Sequence, residues 1–431
     1  MSDSAKNQYL YSDLRMERQF MKPQKQRLVI LGSGFASFSL LKNIDTPLYD
    51  VVVVSPRNHF LFTPLLPSTT VGTIEFRSII EPVRTAKENI TFYHAYCSSI
   101  SAERNTIHCK NSLDGNAFTL PYDILVFGVG AMSNTYGIEG VEQYTLPLKE
   151  LADARAIRQR IIENFERAST PGLQYEERKR LLHFVVVGGG PTGVEFAAEL
   201  HDFLTEDLVD SYPVMVPDVD ITLLEAGDQI LNTFDAALSE YTVKNFQRQK
   251  ISVRLQSQVA KVKEKELILK DGSHVPYGLL VWSTGNTQTP LVKSLPFEKD
   301  SASRVITDAY FHVKGFHNIY AFGDCATIEG QALPATSQVA QQEGYYLARS
   351  LNALAKNKSV LPFKYRHYGM LAYIGSNKAL ADLPQVKGKG FSTWLFWRSA
   401  YLTKLVRWKN KILVVFDWTK TFIFGRDASR F

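Results

Sequence analysis

The sequence predicts an α/β fold with a duplicated core, on three observations. First, two glycine-rich turns, Gly32-Ser33-Gly34-Phe35-Ala36-Ser37 and Gly188-Gly189-Gly190-Pro191-Thr192-Gly193, stand 156 residues apart, each directly behind an apolar run, Leu28–Leu31 or Phe184–Val187. Second, each turn is followed by a further apolar run that closes on glycine, Tyr122–Gly130 and Leu279–Gly285. Third, the last seventy residues concentrate aromatic and cationic side chains.

An apolar strand, a glycine turn and a helix make a phosphate-binding unit. The first glycine forms the tight turn, the second admits the pyrophosphate, and the third lets helix and strand pack closely. The anion then rests on the helix N-terminus. Gly188, Gly190 and Gly193 match in full; the first copy has Gly32 and Gly34, with the small Ser37 at the third position. Two such Rossmann-like units suggest that electrons pass between two dinucleotides, typically NAD(P)H and FAD.

The next strand in each unit ends near the ribose. The first, Asp50–Ser55, ends on Ser55 rather than an acid, so its ribose contact is made differently. The second, Ile221–Glu225, ends on Glu225, which suits ribose hydroxyls and repels a 2′-phosphate, favouring NADH over NADPH. Glu225 lies 32 residues past Gly193, so the stretch Asp207–Asp218 reads as an insertion. Gly130 and Gly285, closing the two parallel runs, are placed at FAD and NADH respectively.

Hydrophobic content of 45% over 431 residues supports two to three domains with ample core. The net charge of +6 is uneven: residues 361–431 hold thirteen Lys and Arg against three Asp and no Glu. No nucleic-acid motif accompanies this basic tail, so nucleic acid is not an expected partner. The three cysteines form no C-x-x-C pair, which argues against a disulfide framework, a zinc site and a redox-active dithiol, and no metal site is expected. No apolar run reaches the roughly 18 residues that span a bilayer.

These signals order the chain as a mobile N-terminal arm (1–26), an FAD-binding domain (27–150 and 301–365), an inserted NADH-binding domain (151–300) and a tail (366–431). Residues 151–180 read as helical, with Leu151, Ala154, Ile157, Ile161 and Phe165 at helical spacing. The segment Phe316–Ala326 reads as a strand ending in Gly323-Asp324, which rejoins the first domain.

With Asn58–Pro67, the Gly-Pro-Thr-Gly-Val-Glu stretch at 190–195, Gly323–Ala326 and Ser337–Glu343 in view, the chain closely resembles the type II, single-subunit, non-proton-pumping NADH:quinone oxidoreductases, the alternative NADH dehydrogenases of the two-dinucleotide-binding flavoproteins. The family's pattern at 337–343 is A-Q-x-A-x-Q-E, with Ser337 here in place of alanine. The resemblance implies hydride transfer from NADH to FAD and reduction of a membrane quinone, ubiquinone rather than menaquinone. It places Phe60–Pro67, Pro64 included, along the flavin ring, and Asp324, Ala340 and Gln341 at FAD. Gln338 and Gln342 fall beside the quinone head group, and Glu195 close to the nicotinamide or flavin. It further implies a homodimer at the surface of the mitochondrial inner membrane, the bacterial cytoplasmic membrane being the alternative.

The tail carries four of the five tryptophans, and Trp394, Trp397, Tyr401, Leu405 and Trp408 share one helical stripe flanked by Lys404, Arg407 and Lys411. An aromatic face edged with cations suits a lipid bilayer surface, making this an amphipathic membrane-anchoring region; a homodimer interface or core packing is the competing reading of the stripe. Two other functions stay open at this level: a sulfide:quinone oxidoreductase relative, for which the cysteines are not placed, and a signalling flavoprotein.

Overall fold

The computed structural model describes residues 25–405 and 407–429; the expected N-terminal arm lies, up to residue 24, outside the described residues. The chain divides into two compact units. One comprises the described part of Met1–Asn58 with Val83–Gly130 and Pro290–Phe363. The other comprises His59–Pro82, Ala131–Thr289 and the described part of Lys364–Phe431.

In the first unit, seven strands run in the spatial order Ile319–Ala321, Ile124–Phe127, Gln26–Leu31, Tyr49–Ser55, Ile90–Ser101, Thr106–Asn111, Ala117–Pro121. The first five are mutually parallel and the last three antiparallel. Val29, Leu31, Val52, Leu125, Phe127 and Ile319 form the apolar layer behind them. Continuous aliphatic runs suit parallel strands, which are covered on both faces. The helix Phe35–Asn43 packs on Ser337–Leu354. Gly344 permits this approach, because a β-carbon there would stand 2.1 Å from the Ala36 carbonyl oxygen.

In the second unit, five parallel strands lie in the order Leu146–Pro147, Leu279–Trp282, His183–Val187, Asp220–Leu224, Ile251–Arg254. The stretch 151–180, read as helical, forms two helices, Leu151–Ala168, with Ala154, Ile157, Ile161 and Phe165 buried, and Tyr175–Leu181. The stretch Asp207–Asp218 holds a short helix, Leu208–Ser211, and a single 3-10 turn, Val216–Asp218.

The tail opens with a three-stranded antiparallel sheet, Met370–Tyr373, Ala379–Asp382 and Lys387–Gly390, then two helices, Phe391–Lys404 and Trp408–Phe424. The second helix runs unbroken through Lys409 and Asn410. Asn410 is buried and its amide nitrogen donates to the carbonyls of Ser78 and Ile80, each at 2.9 Å. Asp417 accepts the Ser78 hydroxyl at 2.5 Å and the Glu75 N–H at 3.1 Å, and Arg407 pairs with buried Glu81 at 2.9 Å. These polar anchors, together with buried Val414 and Trp418, seat this helix.

The aromatic stripe of the tail also turns inward. Trp397 and Leu405 are buried, and Tyr401 meets Phe62 edge to face at 6.2 Å. The apolar residues facing out are Phe391, Leu395 and Phe396 on one helix and Trp408, Ile412, Val415, Phe416, Phe422, Ile423 and Phe424 on the other. Among the described residues no helix is long and apolar enough to cross a membrane.

Candidate functional site: two dinucleotide turns and a buried acid face

The two glycine turns repeat one geometry. The Gly32 N–H donates to the carbonyl of Val54, and the Gly188 N–H to that of Leu224, both at 2.8 Å, tying each turn to the end of the neighbouring strand. Gly32 has φ +97° and Gly188 φ +115°. A β-carbon on Gly32 would stand 2.5 Å from the Gly128 carbonyl oxygen; on Gly188, 2.6 Å from that of Ser283. Any side chain would force the turn away from the sheet, which is why both positions are glycine.

The second glycines differ in kind. Gly34 and Gly190 are the N-caps of Phe35–Asn43 and Pro191–Glu206, and a β-carbon on either would meet no atom within 4 Å. Neither helix carries an acid in its first turn. Space at the two helix N-termini, with no acid in either first helical turn, suits a pyrophosphate, so the residues present fit FAD at the first turn and NADH at the second.

At the third position, Gly193 lets the helix approach so closely that a β-carbon would lie 2.0 Å from the Gly188 carbonyl oxygen. Its counterpart Ser37 is buried, with its hydroxyl 3.1 Å from the Leu31 carbonyl and 3.3 Å from that of Gly128. The serine fits because the backbone around it offers acceptors.

Ser55 ends its strand with its hydroxyl donating to Ser33 in the glycine turn at 3.0 Å and accepting the Arg57 N–H. Glu225 uses both oxygens on its own loop, one accepting the Gly189 N–H and the other that of Gly227, each at 2.7 Å. Each oxygen keeps a lone pair for a ribose hydroxyl. Gly130, φ +67°, faces open space, whereas a β-carbon on Gly285 would strike the Tyr136 hydroxyl at 2.5 Å.

The first unit also holds Asp324, Gln338, Ala340, Gln341 and Gln342. Asp324 lies in the single turn Gly323–Cys325, and the others in the first turns of Ser337–Leu354, capped by the Thr336 hydroxyl. Ala340 is buried and the three glutamines are half-buried. One recess is lined by Arg304, Asp324, Thr327, Val339, Ala340 and Glu343. Glu343, the last residue of the 337–343 pattern and given no role from sequence, accepts the Gly323 N–H at 2.6 Å, and burial pushes its carboxyl up to about 7.

The second unit holds Pro64, half-buried in the turn Thr63–Leu65, and Glu195 on the fingerprint helix. Glu195 is buried, accepts the Tyr373 N–H at 3.0 Å, and is pushed by burial up to about 8. Two more acids on the same helical face escaped the sequence reading. Glu199 accepts the hydroxyls of Ser68 at 2.5 Å and Thr73 at 2.9 Å, and burial raises it despite Arg426 nearby. Asp202 accepts the Tyr373 hydroxyl at 2.5 Å and the Ser376 N–H. The spacing i, i+4, i+7 from Glu195 inside an otherwise apolar helix was the signal available.

Comparison with known proteins agrees with this geometry. Residues 26–344 match the family model for pyridine nucleotide-disulphide oxidoreductases, and residues 367–427 that for the NDH2 C-terminal domain. A probable NADH dehydrogenase of Dictyostelium discoideum is 48% identical over 97% of this chain and 94% of its own length. An internal alternative NAD(P)H-ubiquinone oxidoreductase of Arabidopsis thaliana mitochondria is 42% identical over 94% of this chain and 86% of its own. The structure of NDH2 from Plasmodium falciparum in complex with NADH superposes with a TM-score of 0.89 at 29% identity, covering 94% of this chain and all of that one. The duplicated glycine turns, the C-terminal domain and these similarities together place the chain in the pyridine nucleotide-disulphide oxidoreductase family, among the alternative NADH dehydrogenases of the NDH2 type.

Proposed function

We infer that this protein is a membrane-associated flavoprotein that oxidises NADH and reduces a membrane quinone to quinol, without proton pumping, feeding electrons into a respiratory chain. The observation that carries this reading is the pair of turns in which Gly34 and Gly190 face open space at helix N-termini, in a chain that ends in an NDH2 C-terminal domain. Relatives named as mitochondrial ubiquinone oxidoreductases support ubiquinone, rather than menaquinone, as acceptor and the mitochondrial inner membrane as location. The outward apolar residues of the last two helices, with Lys409 and Lys411 among them, support peripheral attachment to lipid. A homodimer is part of the same proposal.

We assign FAD to the unit that holds Gly32, Gly34, Ser37, Ser55, Gly130, Asp324, Ala340 and Gln341, with Pro64 as a further flavin contact. NADH goes to the unit that holds Gly188, Gly190, Gly193, Glu225 and Gly285. Bound FAD supplies a two-electron carrier linking nicotinamide to quinone. The chain's own residues bind, orient and handle protons. The Gln338 amide donates to a quinone carbonyl and accepts from the quinol hydroxyl without changing charge, and Gln342 extends that polar edge. Glu195 has Oε1 engaged by the Tyr373 N–H and is raised by burial to about 8, which suits it to hold and release a proton near neutral pH.

The test is NADH oxidation by the flavin-loaded protein, with and without a short-chain quinone. Flavin bleaching by NADH followed by rapid reoxidation with quinone is the expected result. Bleaching without quinone-dependent reoxidation overturns quinone reduction and moves the protein to another acceptor or to a signalling role.

A further inference from the structure

Cys97 and Cys109 are twelve positions apart in sequence but are direct cross-strand partners in the antiparallel pair Ile90–Ser101 and Thr106–Asn111. The Ser112 N–H donates to the His94 carbonyl at 3.0 Å, which makes His94 and Ser112 a hydrogen-bonded pair. Bonded and non-bonded pairs alternate along an antiparallel ladder, so three steps on, Cys97 and Cys109 form a non-bonded pair. That is the type in which α-carbons approach most closely, about 4.5 Å, at the lower end of the roughly 4.4–6.8 Å that a disulfide spans. Both cysteines are free, with exposures of 8% and 1%.

The side chains already interact. Each thiol is the leading influence on the other's titration: the Cys109 side chain raises Cys97 above its ordinary value, and the Cys97 side chain holds Cys109 below it. The Cys97 sulfur also lies 3.3 Å from the Ser99 carbonyl, at a bulge that separates Cys97 from the next register pair. Around them stand Val52, Val54, Ala95, Ile107 and Tyr122, an apolar setting with no metal-binding group among the described residues. Sequence spacing argued against a dithiol; strand register supplies one.

We propose that Cys97 and Cys109 are an oxidisable dithiol that closes to an intramolecular disulfide when the protein meets a hydroperoxide. One sulfur of the pair, as thiolate, attacks the peroxide, the O–O bond breaks, and a sulfenic acid forms as the alcohol (or, from hydrogen peroxide, water) departs. The partner sulfur then attacks the sulfenic sulfur, forming the S–S bond and releasing water. Two thiols lose two electrons and two protons, and one peroxide is reduced. The cross-link ties the outer antiparallel strands of the first unit together, independently of the residues assigned to FAD and NADH. Cys325 is an internal standard: it lies in the turn Gly323–Cys325 with no cross-strand cysteine, and burial pushes its thiol up to about 12.

The experiment treats the flavin-loaded full chain with hydrogen peroxide, removes the oxidant with catalase, unfolds the protein in alkylating agent and maps the peptides by mass. The expected result is a fall from three alkylated cysteines to one, Cys325, with a Cys97–Cys109 linked peptide that dithiothreitol reverses. Peroxide is also expected to raise the melting temperature of the native sequence and leave that of the Cys97→Ser/Cys109→Ser variant unshifted. Three alkylated cysteines after treatment overturn the proposal. So do sulfinic acid on either residue without the linked peptide, or cross-linking between chains.

Discussion

The backbone N–H of Tyr373, in the first strand of the tail sheet, donates to Oε1 of Glu195 on the fingerprint helix at 3.0 Å. The same tyrosine gives its hydroxyl to Asp202, so one tail residue engages two acids of that helix.

Burial raises Glu195 into the range where enzymes work, against the opposing pull of the Tyr373 N–H. Its native value of about 8 lies above the ordinary 4.5. A raised native value means the native state holds the proton more tightly, so the associated stability is complete below about pH 4.5 and is lost as pH climbs through about 8. Glu195→Gln should remove this loss. Its melting temperature minus that of the unmodified protein should grow from pH 5 to pH 8 and level off above. The ceiling is on the order of 5 kcal/mol at about 1.4 kcal/mol per pKa unit. Glu343, raised to about 7, contributes equally to both proteins and cancels in the difference. A difference that stays flat with pH sinks the assignment.

The glycines separate folding from binding. Gly190 has φ −71° and open space around it, so Gly190→Ala should keep the NADH-free protein within about 0.5 kcal/mol of its stability. The added methyl occupies the phosphate's place, and the KM for NADH should rise at least about tenfold, about 1.4 kcal/mol of lost binding. Gly193→Ala, with a β-carbon 2.0 Å from a carbonyl oxygen, should lose folded protein instead. Thermal melts and NADH titrations of the two variants check this, and equal behaviour contradicts it.

Glu225 predicts the nicotinamide preference. Its carboxylate repels a 2′-phosphate, so kcat/KM for NADH should exceed that for NADPH by roughly tenfold or more. Glu225→Ala should narrow the gap and also loosen the loop by freeing the Gly189 and Gly227 N–H groups. Comparable kcat/KM for the two nucleotides in the unmodified protein removes this role from Glu225.

Membrane attachment should depend on the outward face of the tail rather than its whole length. Deleting the tail would also remove buried Trp397, Asn410 and Asp417. Phe416, Phe422 and Phe424 are 62%, 89% and 81% exposed, so replacing all three with serine should leave the melting temperature within a few degrees. Partitioning onto anionic vesicles should fall at least about tenfold, at roughly 1.5 kcal/mol or more per buried side chain. Undiminished co-sedimentation with the vesicles refutes this face as the anchor.

Gln338 carries the quinone proposal at residue level. Gln338→Ala should raise the KM for quinone, or lower the quinone-dependent rate, by about tenfold, one charge-neutral hydrogen bond to a buried partner being worth about 1–1.5 kcal/mol. Flavin bleaching by NADH, recorded in the same stopped-flow series, should be unchanged. Quinone kinetics identical to the unmodified protein exclude that contact.

Much of the first layer of this molecule was legible because its signals are local. A positive-φ glycine between a strand and a helix is set by residues within one turn, so Gly32 and Gly188 could be named without any fold. Continuous aliphatic runs marked the parallel strands for the same reason, and Ser37 was read as tolerated because it is small. The structure adds that Ser37 is held by the carbonyls of Leu31 and Gly128, the second of them 91 positions away.

What only the tertiary structure decided depends on partners far apart in the chain. The tail helices are apolar on both faces, so periodicity could not tell which side turns inward. Packing buries Trp397 and Leu405 and leaves Leu395, Phe396 and Phe422 outside. The acids Glu199 and Asp202 looked like ordinary helix residues until Ser68, Thr73 and Tyr373 were brought to them. Cys97 and Cys109 became a pair only through strand register. The sequence by itself determined the glycine turns, the strands that carry them and the family, because backbone conformation and short apolar patterns are written locally. The burial of charge, the facing of the tail helices and the pairing of thiols were decided by tertiary structure, because a side chain's environment is the sum of contacts that no local pattern encodes.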